Sequence, residues 1–184
     1  MYFDNDQYNA YIAIVQGLPI DGGTAPRNPW FYPGDIAIDA DNNPLTGEYG
    51  FEYGLKVRSE NGFQQGYLYS VSNWEDVYYS QDNIANPYKI LSGTSPSQID
   101  FVYSLNQNTH YVLEAKIPLG LLGLSANPGD PICPLRIHWT QQCGNDYLTL
   151  NADVNPVPEP TTLLLLGTGL IGLSTLARKR FGKK

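Results

Sequence analysis

Hydrophobic and polar positions alternate along much of this chain, and the alternation has the period of strands. Tyr49, Phe51, Tyr53, Leu55 and Val57 fall on one face, and Gly50, Glu52, Gly54, Lys56 and Arg58 on the other, which predicts a strand from Tyr49 to Arg58 with one polar side. Tyr111 to Ile117 alternates in the same way, and Pro118 ends it. Leu135, Ile137 and Trp139 alternate with Arg136, His138 and Thr140, which places Trp139 in the core. Gly34 to Asp39 sets Ile36 and Ile38 against Asp35, Ala37 and Asp39. Ala10 to Val15 is a short apolar run closed by Gly17 and Pro19 and reads as a buried strand. Gln65–Val71, Ile99–Leu105 and Tyr147–Asn151 complete about eight strands, and Leu119–Leu124 predicts a short helical turn. Asp21 to Pro33 reads as a Gly/Pro-rich surface loop, Asn83 to Ser97 as irregular chain, and Trp74 to Tyr79 as either strand or loop. The fold class is therefore all-β, an antiparallel β-sandwich.

The pattern changes at the end. After Val157-Pro158-Glu159-Pro160 the chain runs from Thr161 to Ala177 without a charge, then reaches Arg178-Lys179-Arg180 and closes on Lys183-Lys184. As a helix that stretch would be roughly 26 Å long at ~1.5 Å per residue, the short limit for a bilayer core of ~30 Å. It has no amphipathic face, which argues against a buried core helix. The expected organisation is a sandwich over 1–154, a linker over 155–160, a single transmembrane helix over 161–177, and a basic cytoplasmic tail over 178–184.

Pro158-Glu159-Pro160, the Leu/Gly-rich span and the basic stop Arg178-Lys179-Arg180 together resemble the PEP-CTERM sorting signal of bacterial surface proteins. The resemblance implies export, transient anchoring in the inner membrane, and processing near Pro158-Glu159-Pro160 by an exosortase, a membrane-embedded cysteine transpeptidase. The final location would be the cell surface or extracellular matrix. Met1 to Asp6 has neither the basic nor the apolar region of a signal peptide. A sorting signal without an export signal leads to the expectation that the chain is a truncated version of a longer one. Gly167-Thr168-Gly169-Leu170-Ile171-Gly172 fits a dinucleotide fingerprint by letter only, since no acidic residue follows Glu159.

Charge sharpens this division. The formal net charge is −7, yet all 18 acidic residues lie at or before Glu159, while Arg178, Lys179, Arg180, Lys183 and Lys184 sit beyond it. So acidic a body repels phosphate backbones, which removes nucleic acid as a partner and suits solubility or divalent cations.

A second resemblance spans most of Tyr2 to Asp153. Tyr2-Phe3-Asp4-Asn5-Asp6 before Tyr11-Ile12-Ala13-Ile14, Pro33 to Asp39, Glu114-Ala115-Lys116-Ile117-Pro118 followed by Leu121-Leu122-Gly123, and His138-Trp139-Thr140 look like the sandwich of family-nine carbohydrate-binding modules and the related DOMON domains. It implies sugar binding and, in some members, structural calcium; by the same comparison the first strand of the sheet would be missing before Tyr2.

Candidate chemistry is sparse. Asp39, Asp41 and Asn43, with Asp4, Asp6 and Asp35, are hard oxygen donors at close spacing and admit two readings, turn caps or structural calcium. An EF-hand is excluded, because Pro44 stands where glycine is needed and Gly50 where the bidentate glutamate belongs. Trp30, Phe31, Tyr32, Trp74, Tyr78 and Tyr79 fall outside the core alternation, so Trp30, Tyr32 and Trp74 are candidates for stacking on a polysaccharide, the alternative being loop anchors or core edge. Cys133 and Cys143 are the two cysteines, and an exported location permits a disulfide between them. Glu75-Asp76 are adjacent carboxylates that nothing places around a bond, and no nucleophile, zinc or Cys/His motif occurs. The expected function is thus a non-catalytic, carbohydrate-binding-like surface protein without a cofactor other than calcium. A matrix protein with no specific ligand and a glycan-modifying enzyme are the alternatives.

Overall fold

The computed structural model describes residues 1–24, 30–79, 83–106 and 109–157, together with Leu165 and Thr168. Among these the chain forms β1 (Tyr2–Asn5), β2 (Asn9–Gln16), β3 (Gly23–Thr24), β4 (Trp30–Phe31), β5 (Ile36–Asp39), β6 (Tyr53–Leu55), β7 (Tyr67–Glu75), β8 (Lys89–Gln98), β9 (Asp100–Asn106), β10 (His110–Pro118), a 3-10 turn (Leu119–Leu122), β11 (Cys133–Thr140) and β12 (Tyr147–Val154). Two antiparallel sheets stack as a sandwich. One has four strands in the order β1-β2-β10-β9, the other six in the order β12-β11-β5-β6-β7-β8. The all-β antiparallel expectation holds. No helix among the described residues is long and apolar enough to cross a membrane, and the span 161–177 lies outside them apart from Leu165 and Thr168, both helical.

Alternation assigns the inward faces of β5, β10 and β11, whereas β2, expected to be a buried strand, turns only alternate residues inward and leaves Tyr11 and Val15 exposed. Ile12 and Ile14 of β2 and Leu113, Ala115 and Ile117 of β10 meet Ile36, Ile38, Leu55, Leu135, Ile137 and Trp139 of the larger sheet in one core. The Trp139 indole N–H donates to the Gly34 carbonyl at 3.1 Å, so its polar atom is satisfied in the interior.

The outward faces depart from expectation. A second core lies on the outer side of the six-stranded sheet, where Ala37, Phe51, Tyr69, Val71, Trp74 and Ile90 pack together under returning loops. Every residue of β5 is consequently buried. The predicted strand Tyr49–Arg58 shrinks to Tyr53–Leu55, because Tyr49 and Gly50 both take positive φ in a turn closed by an isolated bridge between Glu48 and Phe51. That turn folds Phe51 onto the outer face. Asn83–Ser97, expected to be irregular, contains most of β8. It pairs with the long β7 through several register shifts and lies at the sheet edge, where Pro96 and the polar run are tolerated.

A buried ionic hub ties these loops down. The fully buried Lys56 ammonium lies 2.9 Å from Asp35 and 3.1 Å from Glu60. Asp35 also accepts the backbone amides of Val57 and Ile90, each at 2.9 Å. Burial pushes the Asp35 carboxyl above the usual carboxylate range, while Lys56 and the two amides pull it back. One aspartate thus joins the start of β5, the chain beyond β6 and β8.

Candidate functional site: aromatic loops at one end of the sandwich

The strands define two ends. β5 begins at one end beside Thr140 and Tyr88, whose carbonyls accept the Gly34 and Asp35 amides at 2.9 Å. The loops at this end carry most of the candidate aromatics. Trp30 is 49% exposed and Tyr78 and Tyr79 are 65% and 53% exposed, whereas Phe31 between them in the fold is buried. The Phe31 ring sits 6.2 Å from Tyr78 and 6.1 Å from Tyr79, both edge-on. Tyr78 and Tyr79 are themselves perpendicular at 4.7 Å.

Backbone bonds hold these loops together. Tyr78 N–H donates to Gln142 O at 2.7 Å, Tyr79 N–H to Cys143 O at 3.3 Å, and Gln142 N–H to Tyr32 O at 3.0 Å. Trp30 is fixed by its indole N–H, which donates to Asp21 O at 2.8 Å. Gly22 sits beside it at φ 82°, and a Cβ there would fall 2.5 Å from both Trp30 Nε1 and Phe31 O, so only glycine fits. Two shallow clefts open here, of about 220 and 330 Å³. They share Gln141, Asn145 and Asp146. Planar amides and a carboxylate can hydrogen-bond hydroxyls, and the exposed Tyr147 in the larger of the two clefts offers a ring that can stack on an apolar C–H face. Nothing in the alternation pattern marks Gln141, Asn145 or Asp146; only the turn between β11 and β12 brings them there.

The other predicted site residues are distributed as follows. Tyr32 joins this end, but Arg58 lies 4.0 Å above its ring and covers one face. Trp74 does not join it. It belongs to β7, is 4% exposed, and donates its indole N–H to Phe51 O at 3.2 Å, so the expectation of a stacking surface at Trp74 is corrected to a core residue. Gly54 makes room for it, since a Cβ there would fall 2.7 Å from the Trp74 ring.

Asp39, Asp41 and Asn43 lie at the opposite end. Asp39 and Asp41 converge with Glu52, which the sequence did not single out, so that one carboxylate oxygen of each lies within 4.8 Å of the others. Asn43 contributes less: its side-chain oxygen accepts the Leu45 amide at 3.1 Å, while its backbone amide donates to Asp39 and Asp41. Both Asp39 and Glu52 are pushed above the usual carboxylate range, first by burial and then by neighbouring carboxylates. Arg136 Nη2 stands 3.1 Å from Asp39 Oδ2. That nitrogen also faces the Tyr49 and Gly50 carbonyls, and Asp39 Oδ2 receives no hydrogen bond. Asp35 belongs to the Lys56 hub, and Asp6 caps the β1–β2 turn through the amides of Tyr8 and Asn9, each at 2.7 Å.

The expected disulfide is overturned. Both cysteines are free. Cys133 opens the eight-residue β11 opposite Val154, and Cys143 lies beyond its far end at Thr140. Such a strand spans ~26 Å, whereas bridged Cα atoms lie about 4.4–6.8 Å apart.

Pro158, Glu159, Pro160 and Arg178-Lys179-Arg180 lie outside the described residues. There the comparison with known families speaks: residues 156–180 match the PEP-CTERM protein-sorting motif. The chain is thus an antiparallel β-sandwich joined to a sorting signal, and that signal implies processing by an exosortase and export to a surface or extracellular location. No curated protein and no solved structure matches the chain.

Proposed function

We propose that this is a non-catalytic surface or matrix protein that binds polysaccharide through the loop end carrying Trp30, Tyr78 and Tyr79, after sorting through its C-terminal signal. The observation that carries this reading is the pair of exposed rings Tyr78 and Tyr79, held by the β11–β12 turn and packed edge-on against Phe31, the neighbour of the exposed Trp30; Phe31 lines one of the two clefts that share Gln141, Asn145 and Asp146. Loops fixed at one end of a rigid sandwich are where such scaffolds place binding residues. The likeness to family-nine carbohydrate-binding modules supports the same chemistry. In this reading the uncharged stretch 161–177 is a transient inner-membrane anchor, Arg178-Lys179-Arg180 its cytoplasmic stop, and Pro158-Glu159-Pro160 the point of processing.

The test is retention on a glycan array by the sandwich and its variants. Trp30→Ala and Tyr78→Ala are expected to weaken retention by roughly thirtyfold each, the equivalent of ~2 kcal/mol for a truncated binding aromatic, with unchanged circular dichroism. Tyr11→Ala, on the far sheet face, should leave it unchanged. Absence of retention on every glycan by the parent protein would replace binding with a structural matrix role. Sorting is tested separately: the secreted chain should be shorter by mass in a host with an exosortase than in one without.

A second reading concerns structural calcium. The convergence of Asp39, Asp41 and Glu52 favours it, since a cation would offset the burial, and with it the weaker mutual repulsion, that raise Asp39 and Glu52. Three carboxylates leave several positions of a six- to eight-oxygen shell to water. Addition of calcium should raise the Tm of the parent and not of Glu52→Gln; an equal shift in both would remove this site.

A further inference from the structure

The chain leaves the sandwich at the end opposite the aromatic loops, and it leaves under restraint. β12 runs to Val154 at the end where β11 begins and where β2 begins and β10 stops. The three residues that follow are tied to the body. Asn5 on β1 uses its side-chain amide as a backbone surrogate: Nδ2 donates to Asn155 O and Oδ1 accepts the Asn155 amide, both at 2.9 Å. Val157 N–H then donates to Ala126 O at 3.0 Å. Ala126 is buried in the main core, and its neighbour Asn127 is bonded to Gln7 of the β1–β2 turn at 3.1 Å. Val157, the last of these three, directly precedes Pro158 of the sorting motif in sequence.

A flexible linker would let the body tumble at the membrane. In sequence Pro156, Pro158 and Pro160 alternate here, and each proline fixes its own φ. From Val157 to Thr161, where the uncharged stretch begins, the chain can reach at most ~14 Å even when fully extended. The opposite loops stand a strand length further away, ~26 Å along β11.

We propose that residues 155–157 are a fixed stalk that turns one end of the sandwich toward the membrane while the chain is anchored. The membrane-facing base consists of the β1–β2 turn around Tyr8 and the loop from Leu124 to Ile132. Tyr8 and Ile132 are both exposed there, and the partner of this surface is the lipid surface beside the processing enzyme. The aromatic loops face outward, clear of the bilayer. The inference rests on the anchoring reading of 161–177.

The experiment places a fluorophore on Tyr8→Cys at the base or on Ile84→Cys at the far end, each with Cys133→Ser and Cys143→Ser. The full chain is reconstituted in phosphatidylethanolamine–phosphatidylglycerol vesicles with a short-range quencher on the headgroups. Quenching is expected for Tyr8→Cys and not for Ile84→Cys. A Gly-Ser spacer inserted between Val157 and Pro158 should lower the quenching at the base severalfold. Equal quenching at both positions, or no effect of the spacer, overturns the stalk while leaving the anchor intact. A chain that fails to float with the vesicles overturns the anchoring reading, and the orientation falls with it.

Discussion

The two sheets of this sandwich treat their outer faces in opposite ways. On the four-stranded sheet, Tyr2, Ala13, Glu114 and Val102 form one cross-strand row and Asp4, Tyr11, Lys116 and Asp100 the next. Most of these side chains meet solvent, above an open groove of about 600 Å³. On the six-stranded sheet the corresponding positions include Lys56, Asp39, His138 and Thr140, and all four are buried. Both faces alternate polar and apolar residues. The difference arises from the connections: those of the larger sheet fold back over it, bringing Phe51, Phe63, Ala85 and Tyr88 onto or beside its surface, whereas β9, β10 and β2 are joined without such cover. A polar position on a strand therefore points away from the inter-sheet core, and whether water is found there depends on the loops.

This contrast can be broken experimentally, and the largest effect should come from its apolar centre. Trp74→Ala empties the covered face and should cost about 3–5 kcal/mol, read by urea denaturation; a change below about 1 kcal/mol would mean that the cover contributes no core. Next comes the hub. Lys56→Ala leaves Asp35 buried without its cation and should cost about 3–5 kcal/mol, and Asp35→Leu, which also leaves the Val57 and Ile90 amides without their acceptor, should cost at least as much. A loss below about 1 kcal/mol for Lys56→Ala would show that water reaches the hub and that this part of the face is open.

The third test is pH. His138 Nε2 faces Ala85 O at 3.1 Å, and Nδ1 faces Thr149 Oγ1 at 2.9 Å. Since a carbonyl only accepts, Nε2 carries a proton, and burial favours the neutral ring. Burial lowers its pKa to about 4 from 6.5. Between these values the unfolded chain binds the extra proton and the folded chain does not, so this contribution to stability is complete above pH 6.5 and is lost as pH falls toward 4. The loss should be on the order of 3 kcal/mol, seen as the difference in pH dependence between the parent and His138→Gln. Parallel pH profiles would show that the ring is reached by water and that this part of the face is open. The smallest effect belongs to the bare sheet: Tyr2→Ala, at a side chain 69% exposed, should shift stability by no more than about 0.5 kcal/mol, and a larger loss would reveal packing at that surface.

The aromatic residues show how far the sequence could be read. Trp30 and Trp74 both fall outside the clean alternation, and both were candidates for a ligand surface. Trp30 is exposed beside Gly22, whereas Trp74 lies over Gly54 in a core that forms only when the Glu48–Phe51 turn folds back. Nothing local to either tryptophan distinguishes them, because the cover of Trp74 comes from residues more than twenty positions away. Glu52 joined the Asp39–Asp41 pair for a related reason: β5 and β6 are antiparallel neighbours, and the turn between them returns the chain to the same end. Cys133 and Cys143, close in sequence, were separated by the strand between them.

The sequence by itself determined the antiparallel all-β class, the inward residues of β5, β10 and β11, and the sorting signal. Each of these is written in a short window: a period of two, a proline motif, an uncharged run with a basic stop. The tertiary structure alone decided which outward residues are dry, which aromatics are free to meet a ligand, and which end of the sandwich the chain leaves from. Those properties depend on contacts between segments far apart in sequence, where burial is set by what folds over a residue and not by the residue's own neighbours.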